Sequence, residues 1–191
     1  MLPGKIESGF CSLVEIEAED SPRIVELRAS RADNYLSREQ PSLASQNLYY
    51  TNYLQRRNNK EEIYFKILQC DKQDTPCGLV RITKLECNER FSWESLVVEP
   101  GTSPLVTIDA IVTIYSIGFV TLGKQLCGPW RVLKAGLRVK ALHEYMGMSN
   151  LIGDDAEYFT FLVTKSKFDK KISYFNKQGF GRSTNPGFWG F

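Results

Sequence analysis

The part of the chain that most restricts the possible folds is residues 91–126. Residues 91–98 (Phe-Ser-Trp-Glu-Ser-Leu-Val-Val) have the aromatic and β-branched content of a buried strand. Two prolines and a glycine within residues 99–104 then end this strand, because proline cannot continue a β-ladder. Ser103 and Pro104 are typical of a helix start. Residues 105–126 are apolar on nearly every side, which predicts a buried helix.

The sequence on either side of this stretch predicts the remaining elements. After the helix, which we expect to end at Cys127-Gly-Pro129, we predict a strand at 130–134 and a helix at 138–146. Elsewhere the patterns predict one or two strands at 13–18 and 23–28, a helix at 42–57, a hairpin of strands 62–68 and 78–85, a turn at 153–155, a strand at 158–163 and a helix at 166–179. This order predicts an α+β fold, an α/β sandwich with a mixed sheet.

Composition and charge narrow the class of protein. A chain of 191 residues, 42% of them hydrophobic, is expected to form one domain with a packed core. The net charge of +2 argues against a nucleic-acid partner. Five cysteines, an odd number without a C-x-x-C pair, favour a reducing compartment. With one histidine, the chain lacks the ligand spacings of a zinc site, so we expect no metal.

Two features bear on membranes. The N-terminus lacks the charged-then-apolar order of a signal peptide. Residues 105–122 are long and apolar enough to raise the question of a membrane span. Asp109 lies inside this run and predicted strands flank it, so we interpret it as a core helix and expect a cytoplasmic protein without membrane insertion.

The turn before the long helix is a candidate anion site. Unpaired backbone N–H groups and the positive end of the helix dipole meet where a buried strand leads into a helix. Such a turn favours a phosphate-bearing ligand, and the absence of Gly-x-x-x-x-Gly-Lys-Ser/Thr argues against a P-loop nucleotide site. An ordinary capped helix start is the alternative.

The order of elements over roughly residues 24–165 resembles the GNAT family of N-acetyltransferases. Residues 132–148 (Val-Leu-Lys-Ala-Gly-Leu-Arg-Val-Lys-Ala-Leu-His-Glu-Tyr-Met-Gly-Met) are similar to that family's strand and signature helix, and residues 158–163 to its last strand. The resemblance is greatest to members of surface-polysaccharide and amino-sugar biosynthesis. It implies a single GNAT-like domain over 1–191, with a tail at 166–191 and a mostly antiparallel mixed sheet flanked by helices.

The resemblance also implies acetyl-CoA as co-substrate. The binding residues carried over from the family are the backbones of Leu96 and Val98 for the pantetheine arm and a phosphate cradle made by the turn and the helix start: Gly101, Thr102, Ser103, Leu105 and Val106. Gly136 stands where the family commonly has an asparagine, and we expect it to contact the co-substrate. The turn also departs from the family, because Pro100-Gly-Thr-Ser-Pro104 has one glycine where several are usual.

His143 and Glu94 are the candidate catalytic residues. His143 occupies the position of the family's general-acid tyrosine and lies on the apolar face of its helix, so it could protonate a leaving thiolate at neutral pH. The alternative is a hydrogen-bonded core histidine. Glu94 lies in the mostly apolar strand 91–98 and is a candidate base for an ammonium substrate. The alternative is a structural carboxylate paired with Arg81 or Lys84.

The acceptor implied by the resemblance is a small-molecule amine, with a nucleotide-linked amino sugar first. A peptide or protein N-acetyltransferase and a non-catalytic module that binds acyl-CoA or a protein are the alternatives. Tyr49, Tyr50 and Tyr53 lie where the family builds its acceptor pocket, although tyrosines at helical spacing are more often packing residues. The aromatic C-terminus (Phe188, Trp189, Phe191) could bury against a second copy in a homodimer.

Overall fold

The computed structural model describes residues 5–30, 42–70, 76–134 and 137–181. Its strands are β1 Ile6–Glu7, β2 Cys11–Glu15, β3 Glu62–Gln69, β4 Pro76–Thr83, β5 Arg90–Val98, β6 Leu126–Leu133, β7 Ser149–Asp154 and β8 Tyr158–Thr164. Its α-helices are α1 Ser21–Ala29, α2 Leu43–Asn58, α3 Pro104–Ser116, α4 Leu137–Met146 and α5 Lys165–Lys177. A 3-10 turn at Ala18–Asp20 precedes α1, and a π-helical turn at Ile117–Thr121 extends α3.

The eight strands form one sheet in the order β1-β2-β3-β4-β5-β6-β8-β7. Every neighbouring pair is antiparallel except β5 and β6, which are parallel and are joined by α3. A parallel pair needs a crossover connection, and the long apolar helix provides it. The predicted α+β class, with a mixed, mostly antiparallel sheet flanked by helices, is confirmed.

Apolar side chains alternate along the central strands and build a core on each face of the sheet. The larger core contains Phe65, Ile82 and Phe91 from the strands and most of the buried side chains of α3, and we call this side the α3 face. The smaller core contains Tyr64, Leu79 and Val97 together with side chains of α1 and α2, and we call this side the α2 face.

The helix α3 is a core helix with one buried charge. By length and hydropathy residues Pro104–Thr121 could cross a membrane, but 67% of this window is buried inside the protein. Asp109, which has no exposed surface, accepts hydrogen bonds from Ser8 Oγ at 2.6 Å and from the N–H groups of Gly181 at 2.7 Å, Phe10 at 2.8 Å and Cys11 at 3.0 Å. These bonds offset the cost of burying the carboxylate and tie both ends of the described chain to α3.

The predicted C-terminal end of the long helix is wrong. The helical segment ends at Thr121, and Gly123 turns the chain with a φ of +66°. Leu126 and Cys127 already belong to β6, where they pair with Arg90 and Phe91. Residues 123–125 (Gly-Lys-Gln) interrupt the apolar run between the two elements, and the prediction extended the helix across this break.

Two other regions differ from the prediction. Residues 23–28, predicted as a strand, lie in α1, because Pro22 starts a helix whose buried side chains Ile24 and Leu27 are three residues apart. Gly153 and Asp154, predicted as part of a turn, are the end of β7, which pairs with β8 and forms one edge of the sheet. The strands β1 and β7 were both missed.

Candidate active site

The strands β5 and β6 are hydrogen-bonded only at their first residues. Their parallel register joins Arg90 to Leu126 and Phe91 to Cys127. Beyond this point β6 pairs with β8 on its other side, and the indole Nε1–H of Trp130 donates to the Trp93 carbonyl oxygen at 2.9 Å. The Trp130 side chain thus connects β6 to β5 at a point where the two strands no longer form backbone hydrogen bonds with each other. The second half of β5 therefore borders an opening in the sheet.

A β-bulge changes the direction of β5 beside this opening. Arg81 pairs with Glu94 and Leu79 pairs with Val97, so β5 carries one more residue than β4 between the two pairs. Ser95 takes up the extra residue with a φ of +54°. The bulge places Leu96 against the α3 core and Val97 in the α2 core. Bulges next to active sites commonly redirect side chains in this way.

The backbone of β5 after the bulge is oriented toward the opening. The Glu99 N–H donates to the Cys77 carbonyl oxygen at 2.8 Å, on the β4 side. Successive backbone groups of a strand point to opposite sides, so the N–H and C=O of Val98 point away from β4. This direction suits the predicted contact between Val98 and an extended amide-bearing ligand. The same role for Leu96 stays a prediction.

The turn that follows β5 is built by one proline and one glycine. The Thr102 N–H donates to the Glu99 oxygen at 3.1 Å across Pro100 and Gly101, and Gly101 has a φ of +86°. These are the features of a type II turn. A Cβ atom added to Gly101 would meet no atom within 4 Å, so the turn has open space in front of it.

The predicted phosphate cradle offers fewer N–H groups than expected. The Ser103 side chain accepts from the Leu105 N–H at 3.3 Å, and the Ser103 carbonyl accepts from the Val106 N–H at 3.0 Å. The N–H groups of Thr102, Leu105 and Val106 therefore already have partners. Within residues 76–134, the Gly101 and Ser103 N–H groups donate to no protein acceptor and remain available. The predicted contact at Gly136 lies outside the described residues.

His143 is buried among aromatic rings on the α3 face. Its ring stacks on Phe161 at a centroid distance of 4.7 Å and on Trp93 at 5.9 Å, and it lies 5.5 Å from the Trp130 ring. The Nδ1 atom is 2.9 Å from Ser149 Oγ. Burial lowers the pKa of His143 to about 4. The imidazole is therefore neutral at pH 7, which differs from the protonated acid that the sequence suggested.

Tyr115 of α3 is a further polar residue in this aromatic cluster, with its ring 6.4 Å from the Trp130 ring, and the sequence did not indicate it. Its side chain is 1% exposed, and burial raises the pKa of its hydroxyl well above the usual range. The nearby Trp93 and Ser149 side chains act on this pKa in the opposite direction, by less. Ser149 begins β7, the edge strand that the sequence analysis missed, so the partner of His143 could not be found from the pattern.

Glu94 lies on the α2 face at the end of a row of charged groups. Arg81 Nη2 donates to Glu94 Oε2 at 2.7 Å, which is one of the two pairings that the structural alternative for Glu94 named. Arg81 Nη1 donates to Glu62 Oε2 at 3.2 Å and to the Tyr49 hydroxyl at 3.0 Å. The Glu94 side chain is 43% exposed and that of Glu62 is 6% exposed. Glu94 is thus the carboxylate that an incoming ligand can reach.

The three tyrosines of α2 have different surroundings. Tyr53 is fully buried, and its hydroxyl donates to Glu15 Oε1 at 2.5 Å and accepts from the Tyr64 N–H at 3.3 Å. Tyr49 is held by Glu62 and Arg81, and Tyr50 packs on Tyr53 with a ring distance of 5.9 Å. Tyr53 is therefore a packing residue, and Tyr49 belongs to the charged row.

Comparison with solved structures identifies the fold of this chain. No protein-family model and no curated protein matches the sequence. A solved structure of FdhC, a nucleotide-linked sugar GNAT, is similar with a TM-score of 0.80 and 29% identity, over 93% of this chain and 98% of FdhC. The chain has the fold of the GNAT acetyltransferases.

Two further GNAT structures share the fold at lower identity. The Campylobacter jejuni N-acetyltransferase PseH in complex with acetyl coenzyme A has a TM-score of 0.60 and 11% identity, over 81% of this chain and 98% of PseH. A spermidine N-acetyltransferase SpeG chimera from Vibrio cholerae and hSSAT has a TM-score of 0.62 and 14% identity, over 83% of this chain and 97% of the chimera. At this identity the two matches support the fold alone.

Proposed function

We propose that this GNAT chain transfers an acetyl group from acetyl-CoA to the primary amine of a nucleotide-linked amino sugar. Acetyl-CoA is the co-substrate and supplies the acetyl group as an activated thioester. The observation that carries the proposal is the opening beside β5, where the ladder to β6 stops, a bulge redirects the strand and a helix start follows. FdhC, which has this fold at 29% identity, is a nucleotide-linked sugar GNAT and supports the choice of acceptor.

The residues around the opening fit the chemistry of acetyl-CoA. The available N–H groups of Gly101 and Ser103, next to the positive end of α3, suit a diphosphate. The empty space in front of Gly101 allows close approach to the backbone. The backbones of Leu96 and Val98 would hold the amide-bearing arm. Leu105, which is 42% exposed at the helix start, would contribute apolar surface.

Glu94 and His143 have distinct roles in this proposal. As the new C–N bond forms and the C–S bond breaks, the amine loses a proton and the departing sulfur becomes negative. The exposed Glu94 carboxylate accepts the proton of the amine. His143 is neutral at pH 7, so it stabilises the departing sulfur as a hydrogen-bond donor instead of transferring a proton from an imidazolium.

We propose that this reaction is a step of surface-polysaccharide biosynthesis and takes place in the cytoplasm. Residues 31–41, which directly precede the tyrosine-bearing helix α2, lie outside the described residues. The aromatic residues predicted to mediate a homodimer also lie outside them. The similarity to FdhC supports the sugar acceptor.

Thermal unfolding with added ligand tests the co-substrate. Acetyl-CoA at a hundred times its dissociation constant should stabilise the fold by about 2.7 kcal/mol, and CoA should also raise the melting temperature. ATP, which has phosphates but no pantetheine arm, should have a much smaller effect. An equal shift with ATP, or none with either CoA species, would contradict the proposal.

A panel of acceptors then tests the substrate class. Release of free CoA should be fast with a nucleotide-linked amino sugar and slow with spermidine or a peptide amine. A preference for spermidine or for a peptide would reject the sugar assignment. Binding of acetyl-CoA without turnover of any amine in the panel would favour the non-catalytic module.

A further inference from the structure

We propose that Arg81 is a positioning residue for the reaction and holds the Glu94 carboxylate in the direction from which it accepts the proton of the amine. The inference rests on the proposed function, in which Glu94 is the proton acceptor. Arg81 acts through Glu94 and needs no contact of its own with either substrate.

Both oxygen atoms of the Glu94 carboxylate are held by side chains of β4. Arg81 Nη2 donates to Oε2 at 2.7 Å, and the Thr83 hydroxyl donates to Oε1 at 3.3 Å. Arg81 and Thr83 are two residues apart in β4, so their side chains lie on one face of the sheet. A glutamate side chain that is 43% exposed can adopt several rotamers, and bonds to both of its oxygens select one of them.

The guanidinium of Arg81 is itself fixed on the side away from Glu94. Its Nη1 donates to Glu62 Oε2 at 3.2 Å and to the Tyr49 hydroxyl at 3.0 Å. The Tyr49 hydroxyl and Arg56 Nε both donate to the other oxygen of Glu62, each at 3.0 Å. A guanidinium is planar and rigid, so partners that fix its Nη1 also fix the direction in which its Nη2 points.

The two carboxylates that Arg81 contacts have different surroundings. Glu62 is buried and has two arginine partners, Arg56 and Arg81. Glu94 is half-exposed and pairs with one arginine among the residues that the structure describes. Each carboxylate oxygen has two lone pairs, so the bonds from Arg81 and Thr83 leave one free on each oxygen of Glu94. Arg81 therefore fixes Glu94 and leaves it able to accept a proton.

A fixed direction matters for this step of the reaction. A proton acceptor must lie within hydrogen-bond reach of the amine when the C–N bond forms. A misplacement of about 1 Å can lower the rate of an enzyme by about 10²-fold. The row from Glu62 through Arg81 therefore contributes to turnover through the position of Glu94.

Kinetics of single and double variants test this role. Arg81→Met removes the guanidinium and should lower kcat by roughly 10–10²-fold, with the KM for acetyl-CoA unchanged. In the Glu94→Gln background the same substitution should lower kcat by no more than about 2-fold, because the residue that it positions is already lost. Losses that multiply in the double variant would overturn the proposal.

Arg57→Met is the matched control. The side chains of Arg57 and Arg81 are 22% and 20% exposed, and Arg57 Nε donates to a carboxylate of the same face, Glu15 Oε1, at 2.8 Å. Arg57→Met should keep kcat within about 2-fold of the parent, since no reacting group depends on this pair. An equal loss of kcat in both variants would show a general structural effect and overturn the proposal.

Thr83→Val tests the position of Glu94 without removing a charge. Valine has nearly the shape of threonine but lacks the hydroxyl that donates to Glu94 Oε1. The variant should lower kcat by roughly 2–10-fold, which is the equivalent of one lost hydrogen bond. If Arg81→Met does not fold, Thr83→Val carries the test, and a kcat equal to that of the parent would then overturn the proposal.

Urea unfolding separates this proposal from the proposed function. The double variant of Arg81→Met and Glu94→Gln should lose less stability than the sum of the two single variants, because each substitution removes the same ion pair. Additive losses would overturn the proposal even if no amine is turned over and the proposed function fails. If the sugar is acetylated but the losses in kcat multiply, the proposed function stands and the role of Arg81 alone is rejected.

Discussion

Trp93 and Glu94 are consecutive residues of β5 whose side chains lie on opposite faces of the sheet. The Trp93 ring stacks on His143 on the α3 face, and the Glu94 carboxylate accepts from Arg81 Nη2 at 2.7 Å on the α2 face. Both residues immediately precede the bulge at Ser95. The two candidate catalytic groups therefore lie on opposite faces of the sheet, next to the bulge in β5.

Glu94→Gln should lower kcat by about 10²-fold at neutral pH, because the amine then lacks its proton acceptor. The defect should shrink as the pH rises toward the pKa of the amine, where solvent can remove the proton. Steady-state rates from neutral to alkaline pH measure this. Glu15→Gln is the control, since Glu15 is also paired with an arginine, Arg57, at 2.8 Å on the α2 face. A Glu94→Gln defect that does not depend on pH would assign Glu94 a structural role.

Gly101→Ala should weaken acetyl-CoA binding, because its Cβ would project into the space in front of the turn. The matched control is Gly123→Ala. Both glycines have positive φ, +86° and +66°, and neither Cβ would meet an atom within 4 Å. Both variants should lose about 1 kcal/mol of stability from backbone strain. Only Gly101→Ala should raise the Kd for acetyl-CoA in calorimetry, and equal Kd values would reject the predicted cradle.

His143 should make the stability of the protein depend on pH. Its pKa is lowered from 6.5 to about 4 in the folded state, so between these values the unfolded chain binds more protons. Stability from this group is present above pH 6.5 and is lost as the pH falls toward 4. Urea unfolding at pH 7 and pH 4.5 should show a loss of about 2 kcal/mol that His143→Phe does not show. The same loss in both proteins would contradict the neutral buried ring.

Asp109→Asn should destabilise the fold by about 2–4 kcal/mol, since an amide cannot accept four hydrogen bonds as the carboxylate does. Asp169→Asn is the control, because Asp169 is 51% exposed and pairs with Lys165 one helical turn away. We expect the control to change stability by less than about 0.5 kcal/mol. Urea unfolding measures both, and a similarly small change in Asp109→Asn would contradict the structural role of this carboxylate.

Local sequence patterns predicted the central part of the fold. The strand at 91–98, the helix start at Pro104 and the hairpin of β3 and β4 follow from side-chain alternation and from proline and glycine positions. The end of α3 and the start of β6 did not follow, because the turn depends on Gly123 and the strand on its pairing with β5. In α1 an apparent alternation concealed a helical spacing.

The candidate site was predictable only in part. Residue type and family position predicted His143 and Glu94 as catalytic residues, which stays a prediction, and Arg81 was named as one of two possible partners for Glu94. Ser149 was not found, because it meets His143 through the position of β7, an edge strand that no local pattern predicted. The bulge at Ser95 also depends on strand register, so it cannot be read from residues 91–98 alone.

Acetyl transfer from acetyl-CoA to a nucleotide-linked amino sugar can be tested by measuring both products of one reaction. The protein is incubated with acetyl-CoA and a nucleotide-linked amino sugar, and free thiol and acetylated sugar are measured over the same time course. We expect one acetylated sugar for each thiol released, with the rate dependent on both substrates. Thiol release without acetylated sugar, or none above the rate without protein, would contradict the assignment as an N-acetyltransferase of this sugar class.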